Sequence, residues 1–284
     1  HNSLHAGESI TDRTGEGVKQ RHNSLHAGES ITDRTGEGVG EGADCGKQRL
    51  KYKRAMKPKA PKANRRVSKA DVQAVLATLK RLSKPRIREE MSSRYGIVTK
   101  DAYGVRMRDM QDVAKKLGRN HALALALWDT GNCEARTIAA FVAEPERLTP
   151  MLMDRWCHDF DNWAICDTVC FKLFDQSPHA LGRVAAWAGR KDEFQKRASF
   201  ALLACAALHN DDAEDDDFLK LLPLVETAAT DARNFVKKGV SWGLRGVGAL
   251  SKKLEAASVQ LAKRLAASED STSRWIGKDV LRAL

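Results

Sequence analysis

SKADVQAVLATLKRL, residues 68–82, sets the period on which the rest of the chain is built. Val72, Val75, Leu76, Leu79 and Leu82 recur three and four apart, the spacing that lines one face of an α-helix. Ser68 stands just ahead of them, where a short hydroxyl side chain caps the first free amide groups of a helix. Working outward, the same habit returns over residues 121–128, 135–143, 148–160, 163–174, 180–188 and 194–208, and again over 218–229, 235–250, 254–267 and 275–284. No Asn-Gly or Asp-Gly hairpin turn interrupts the series, and no alternating β-branched run does either. Breaks fall at Pro145, Pro150, Pro178, Pro223 and at glycine-containing joints, giving helices of roughly 10–17 residues with short links. The fold expected is all-α. Arg-rich and Ala-rich faces alternate, which suits a curved solenoid of antiparallel helix pairs better than a closed bundle.

The first 55 residues are of another kind. Residues 1–18 (HNSLHAGESITDRTGEGV) recur unchanged as residues 22–39. The segment is polar and glycine-rich, so it lacks the apolar surface needed to offset the entropy of ordering it. Identity over 18 residues points to tandem duplication rather than a structural repeat, whose copies vary and carry apolar positions. Met56, followed by the basic KPKAPK, is read as the natural start. Three segments are therefore expected: a disordered duplicated leader over 1–55, a basic flexible arm over 56–68, and a helical domain over 69–284.

The chain has 284 residues, 42% of them hydrophobic, with 48 Lys and Arg against 37 Asp and Glu. The leader holds nine basic and eight acidic residues, so residues 56–284 keep 39 against 29. Between Met56 and Arg88 there are 11 basic residues and one acidic residue, Asp71. That run fits a phosphate-binding arm or a solubilising tail equally. The positive balance makes nucleic acid the leading partner without fixing the fold. No apolar run reaches the roughly 18 residues of a membrane span, and the N-terminus has no secretory signal pattern.

Six cysteines are present, five of them in helical sequence. They suit buried thiols of a reducing cytoplasm better than disulfides. Cys166 and Cys170 share a helix face and could form half a zinc site, with His158 beside Cys157, but no second pair stands at ligand spacing. Phosphate-loop, His-Glu-x-x-His, Gly-x-Ser-x-Gly and paired Cys-x-x-Cys motifs are absent. The acidic cluster 211–217 precedes an apolar run and suits the start of a helix, where carboxylates meet a favourable dipole. No metal and no cofactor is expected.

Three stretches carry chemistry: DNWAICDTVC (161–170), FQKRA (194–198) and FVKKGVSWGLR (235–245). Trp163 and Asp167 are one turn apart on one face, and Lys238, Trp242 and Arg245 share another. Asp167 sits among apolar neighbours, so its carboxylate must be paired or must face a cleft. Arg197 as its structural ion-pair partner is the rival to a catalytic role. Taken alone, Trp163 and Trp242 suit the core, as do Trp128, Trp156, Trp187 and Trp275.

In order and spacing these stretches resemble the AlkD-like DNA alkylation repair family of HEAT-like repeat glycosylases, over roughly residues 86–284. Leu127-Trp128-Asp129 with Glu134-Ala135-Arg136, and Tyr103-Gly104-Val105-Arg106, resemble further stretches of that family. The resemblance implies a HEAT-like solenoid whose concave basic face grips duplex DNA. It implies that Trp163 and Trp242 pack against the lesion-bearing nucleotide and that Asp167 is the catalytic carboxylate. Arg197 would contact the DNA backbone beside it, and Lys237, Lys238, Arg245 and Arg106 would bind phosphates. Ala164 stands where the family has a second aromatic residue. The activity implied is excision of cationic N3- or N7-alkylpurines from duplex DNA by hydrolysis of the N-glycosidic bond. Because an alkylated purine leaves as a neutral base, the task is to stabilise the oxocarbenium-like sugar, which suits a carboxylate. The expected protein is a monomer of the bacterial cytoplasm, on the nucleoid when acting. Two rivals stand beside it: a non-catalytic HEAT-repeat protein that binds DNA architecturally or at junctions, and a protein-interaction scaffold with no nucleic-acid role.

Overall fold

The structure, a computed structural model, describes residues 67–209 and 213–284. The leader and most of the basic arm lie outside the described residues, as does part of the acidic cluster. Fourteen α-helices and two short 3-10 turns follow one another, and no strand occurs among the described residues.

Helix α1 (Lys69–Leu82) starts where Ser68 places it. The Ser68 hydroxyl accepts from the Asp71 N–H, and the Asp71 carboxylate accepts from the Ser68 N–H at 2.8 Å. This reciprocal capping box satisfies two amide groups that the helix start leaves free. Helices α2 (Pro85–Ser93) and α3 (Met107–Leu117) were not anticipated. Helix α2 has no fully buried residue and therefore no apolar period to read. In α3 the signal was there, in Met110, Val113, Ala114 and Leu117 at helical spacing.

Next come α4 (His121–Trp128), α5 (Cys133–Val142), α6 (Pro150–His158), α7 (Trp163–Lys172), α8 (Ala180–Trp187) and α9 (Glu193–His209). The single helix expected over 218–229 is two, α10 (Asp215–Leu219) and α11 (Leu222–Ala228). Pro223 is the reason: it has no N–H, and its ring clashes with the preceding turn of a helix, so the chain breaks and restarts with proline in the first turn. Helices α12 (Asn234–Gly248), α13 (Lys252–Ala266) and α14 (Ser271–Ala283) complete the array.

Helices α3, α5, α7, α9, α12 and α14 pack each against the next, forming one row. Along the row the contacts advance in register. Cys166 and Cys170 of α7 meet the carbonyls of Phe194 and Ala198 of α9. Arg197, Phe200 and Ala204 of α9 meet Gly239, Gly243 and Gly246 of α12. Lys237 and Ser241 of α12 meet Trp275 and Asp279 of α14. These helices therefore run parallel, with their N-termini along one edge, and intervening helices return the chain. Along the row, the α9–α12 seam brings backbones close together. A Cβ on Gly243 would lie 3.0 Å from the Phe200 carbonyl oxygen, and one on Gly246 would lie 3.0 Å from the Ala204 Cα.

Three tryptophans expected in the core are there: Trp128, Trp156 and Trp187 are fully buried, the first two stacked at 4.0 Å. Trp275 is not; it lies exposed on α14.

Candidate nucleic-acid interface and active site

Trp163 is the first residue of α7, whose start is fixed by the Asn162 side chain accepting from the Ile165 N–H at 3.1 Å. Its indole Nε1 donates to the Tyr95 carbonyl at 2.9 Å, tying the segment after α2 to the start of α7. One turn further on, Asp167 has no exposed surface, and Arg197, near the start of α9, is 1% exposed. The two face each other. Arg197 Nε donates to Asp167 Oδ1 at 2.8 Å and Nη2 to Oδ2 at 2.6 Å, while Nη1 donates to the Phe235 carbonyl at 2.7 Å. Phe235 opens α12, its ring 5.4 Å from that of Phe194. Gly239 leaves room for the guanidinium stem, since a Cβ there would be 3.4 Å from Arg197 Cγ. Burial holds the Asp167 carboxyl above its usual value, and the charge and hydrogen bonds of Arg197 offset this only in part.

This geometry sets Asp167 and Arg197 in the ion pair weighed for them, with Arg197 buried rather than presented at the surface. With Nε, Nη1 and Nη2 each donating inside the protein and 1% of its surface exposed, Arg197 is turned inward rather than towards solvent. The physical cause is the parallel packing of α7, α9 and α12, which brings the two side chains together beneath the helix starts rather than at the surface.

The remaining expected residues are more open. Lys237 and Lys238 are half-buried at the start of α12. Burial, together with the charges of Arg197 and Lys237, holds the Lys238 ammonium below its usual value. Trp242 is half-buried one turn beyond Lys238 and packs against the core. Arg245 turns the other way, towards α14, with Nε 3.9 Å from an Asp279 carboxylate oxygen. Arg106 is exposed at the N-cap of α3 and pairs with Asp109 at 2.8 Å.

Several partners escaped the sequence. Glu134, buried at the start of α5, accepts from the N–H groups of Tyr103, Gly104 and Val105, the Gly104 contact at 2.8 Å. Gly104 has φ +82°, and a Cβ on it would lie 2.6 Å from the Arg88 backbone nitrogen. The two outlying stretches, 103–106 and 134–136, are thus halves of one structural clasp. Arg136 likewise holds the fold, donating to the Asp159 carbonyl at 2.9 Å with its guanidinium 5.0 Å from the Trp128 ring centroid. Tyr95 and Phe235 reach the site through backbone carbonyls, which no side-chain pattern announces.

The five described cysteines are free and buried, and desolvation pushes the Cys133 thiol up to about 12. Among the described residues no group of three or more His, Cys, Asp and Glu side chains is placed to hold a metal ion, and no helix is long and apolar enough to cross a membrane.

The row of helices defines a helical-repeat protein, with an aromatic–carboxylate–guanidinium cluster near the helix starts. Residues 75–275 match the family model described as DNA alkylation repair enzyme, and the chain belongs to that family. No curated protein matches it. Among solved structures it is similar to one described as a new family of proteins related to the HEAT-like repeat DNA glycosylases, with affinity for branched DNA structures. The identity is 22%, the TM-score 0.60, and the match covers 74% of this chain and 94% of that one. It also matches a designed armadillo repeat protein at 11% identity and TM-score 0.38, over 76% of this chain and 94% of that one. The helix array and the match at TM-score 0.60 make the fold an all-α, HEAT-like helical repeat.

Proposed function

We propose that this chain is a duplex-DNA-binding alkylpurine glycosylase without a metal or cofactor, and that its site is Trp163, Asp167, Arg197 and Trp242. The observation that carries the proposal is the convergence of Trp163, Asp167 and Arg197 at the shared N-terminal edge of the row. Lys237, Lys238 and Arg106 stand at helix starts along that same edge. Helix N-termini carry partial positive charge, so six of them side by side with these cations suit a polyanionic backbone.

The chemistry sets a condition. A carboxylate lowers the barrier to glycosidic cleavage by facing the developing charge on the deoxyribose, and an electron-rich indole favours the cationic base. Asp167, fully buried and doubly bonded, must be uncovered when DNA binds. The two Arg197–Asp167 hydrogen bonds are the contacts that have to open. The same burial favours a second reading, a DNA-binding protein of this family that has kept the pair for stability and performs no cleavage. The affinity for branched DNA described for the similar structure fits that second reading.

Release of 7-methylguanine and 3-methyladenine from methylated duplex DNA separates the two. Under the first reading the full chain releases the bases, and Asp167→Asn, checked for folding and DNA affinity, slows release by about 100-fold or more. Tight, salt-sensitive DNA binding with no release selects the second reading. Binding that salt does not weaken excludes both.

A further inference from the structure

Trp275 is the one large aromatic side chain on α14, and it is 36% exposed where its spacing suggested core. Its helix neighbours Ile276 and Gly277 are buried, so the indole lies at the margin of the packed side. Lys237 of α12 places its ammonium 5.1 Å from the ring centroid, which fixes one face of the indole by a cation–π contact. Lys278, one turn on, is exposed. The carboxylate nearby, Asp279, is taken up by Ser241 at 2.6 Å and by Arg282 at 3.1 Å, so the surroundings of the indole are basic.

Position adds to this. From α7 to α14 there are three steps along the row, roughly 25–30 Å at ordinary helix spacing. Trp275 is therefore no part of the Trp163–Asp167 cluster and stands at the far end of the same edge. A paired duplex offers phosphates and sugars to such a surface, but no base face. A flat indole flanked by lysines matches an unpaired nucleotide: the base stacks, and its phosphates meet the ammonium groups.

We propose that Trp275, backed by Lys237 and Lys278, is a stacking platform for a base of an unpaired strand that continues beyond the bound duplex. The proposal rests on the DNA-binding reading above and assigns a second, distinct contact to it. The test compares the affinity of the full chain for one duplex with blunt ends and with an eight-nucleotide single-stranded tail, by fluorescence anisotropy. The tail is expected to tighten binding on the order of 10-fold, with Trp275→Ala removing that gain and leaving blunt-duplex affinity within about 2-fold. Trp275→Phe, which keeps a stacking face, is expected to retain most of the gain, which separates stacking from misfolding. A wild-type chain that binds blunt duplex but gains nothing from the tail overturns the platform alone. An equal loss on both substrates in Trp275→Ala overturns it too, and a wild-type chain that binds neither overturns the DNA-binding reading with it.

Discussion

Removing Asp167 leaves the Arg197 guanidinium buried without its counter-ion. Arg197 is 1% exposed, and two of its three hydrogen bonds end on the Asp167 carboxylate, so Asp167→Ala leaves it only the Phe235 carbonyl. Breaking a buried pair from one side costs about 3–5 kcal/mol, because the remaining charge has neither water nor partner. For a helical domain of this size that corresponds to a fall in melting temperature of roughly 6–20 °C. Replacing both residues with apolar ones of similar volume, Asp167→Leu with Arg197→Met, removes the stranded charge and is expected to recover most of the loss. Urea denaturation followed by far-UV circular dichroism measures the wild type and both variants, with an unchanged slope as the check that the unfolding transition is the same. A loss below about 1 kcal/mol in Asp167→Ala, or a double variant as weak as the single one, would refute the account of Asp167 as a buried, charge-compensated partner. The comparison also bears on catalysis: a stable double variant that still releases methylated bases removes Asp167 from the chemistry.

Other consequences are as direct. Gly104→Ala combines a strained positive φ with a backbone overlap at 2.6 Å, so a loss of at least about 2 kcal/mol in urea stability is expected, and a loss under about 0.5 contradicts the clasp. Asp175, buried against His209, has its carboxyl pushed by burial up to about 6. Its folded value lies above its unfolded one, so its contribution is full below about pH 4 and is lost as pH rises through 6. The stability advantage of wild type over Asp175→Asn should therefore shrink by roughly 2–3 kcal/mol between pH 4 and 7, and a flat difference would show that the group does not titrate there. Gly243→Ala at the α9–α12 seam forces the helices apart and should cost about 1–3 kcal/mol by the same denaturation assay; a neutral result means the seam is looser than described. Lys238→Ala should lower the salt dependence of DNA affinity by about one phosphate contact, and an unchanged slope removes Lys238 from the interface.

Much of the architecture was legible because helical period survives any tertiary arrangement. Residues 68–82 announced their helix through spacing and a cap, and Pro150 and Pro178 marked true breaks. Helix α2 was silent because it buries no residue fully, and Pro223 was taken as a boundary of the series yet not followed to its consequence, a split helix. At the site, Asp167 stood out as a carboxylate among apolar neighbours, while Trp163 and Arg197 gained their roles from the family resemblance. Whether Asp167 faced a cleft or an arginine could not be read, since that depends on how far α9 slides along α7. Trp275 shows the same limit: its helical spacing matches the buried tryptophans, yet it is 36% exposed.

The parallel row has a bearing on how the chain acquires its structure. Each helix of the row touches its row neighbours and the helix that returns the chain, so folding can begin at one junction and spread in both directions, as in other stacked arrays. The glycine-lined α9–α12 junction, with its near-backbone approach, is the natural starting point. The Asp167–Arg197 pair would form one step later, when α7 docks on α9. Fraying of the outermost helices should then leave that centre intact, and amide exchange should be slowest in α9 and α12 and fastest in α1, α2 and the end of α14.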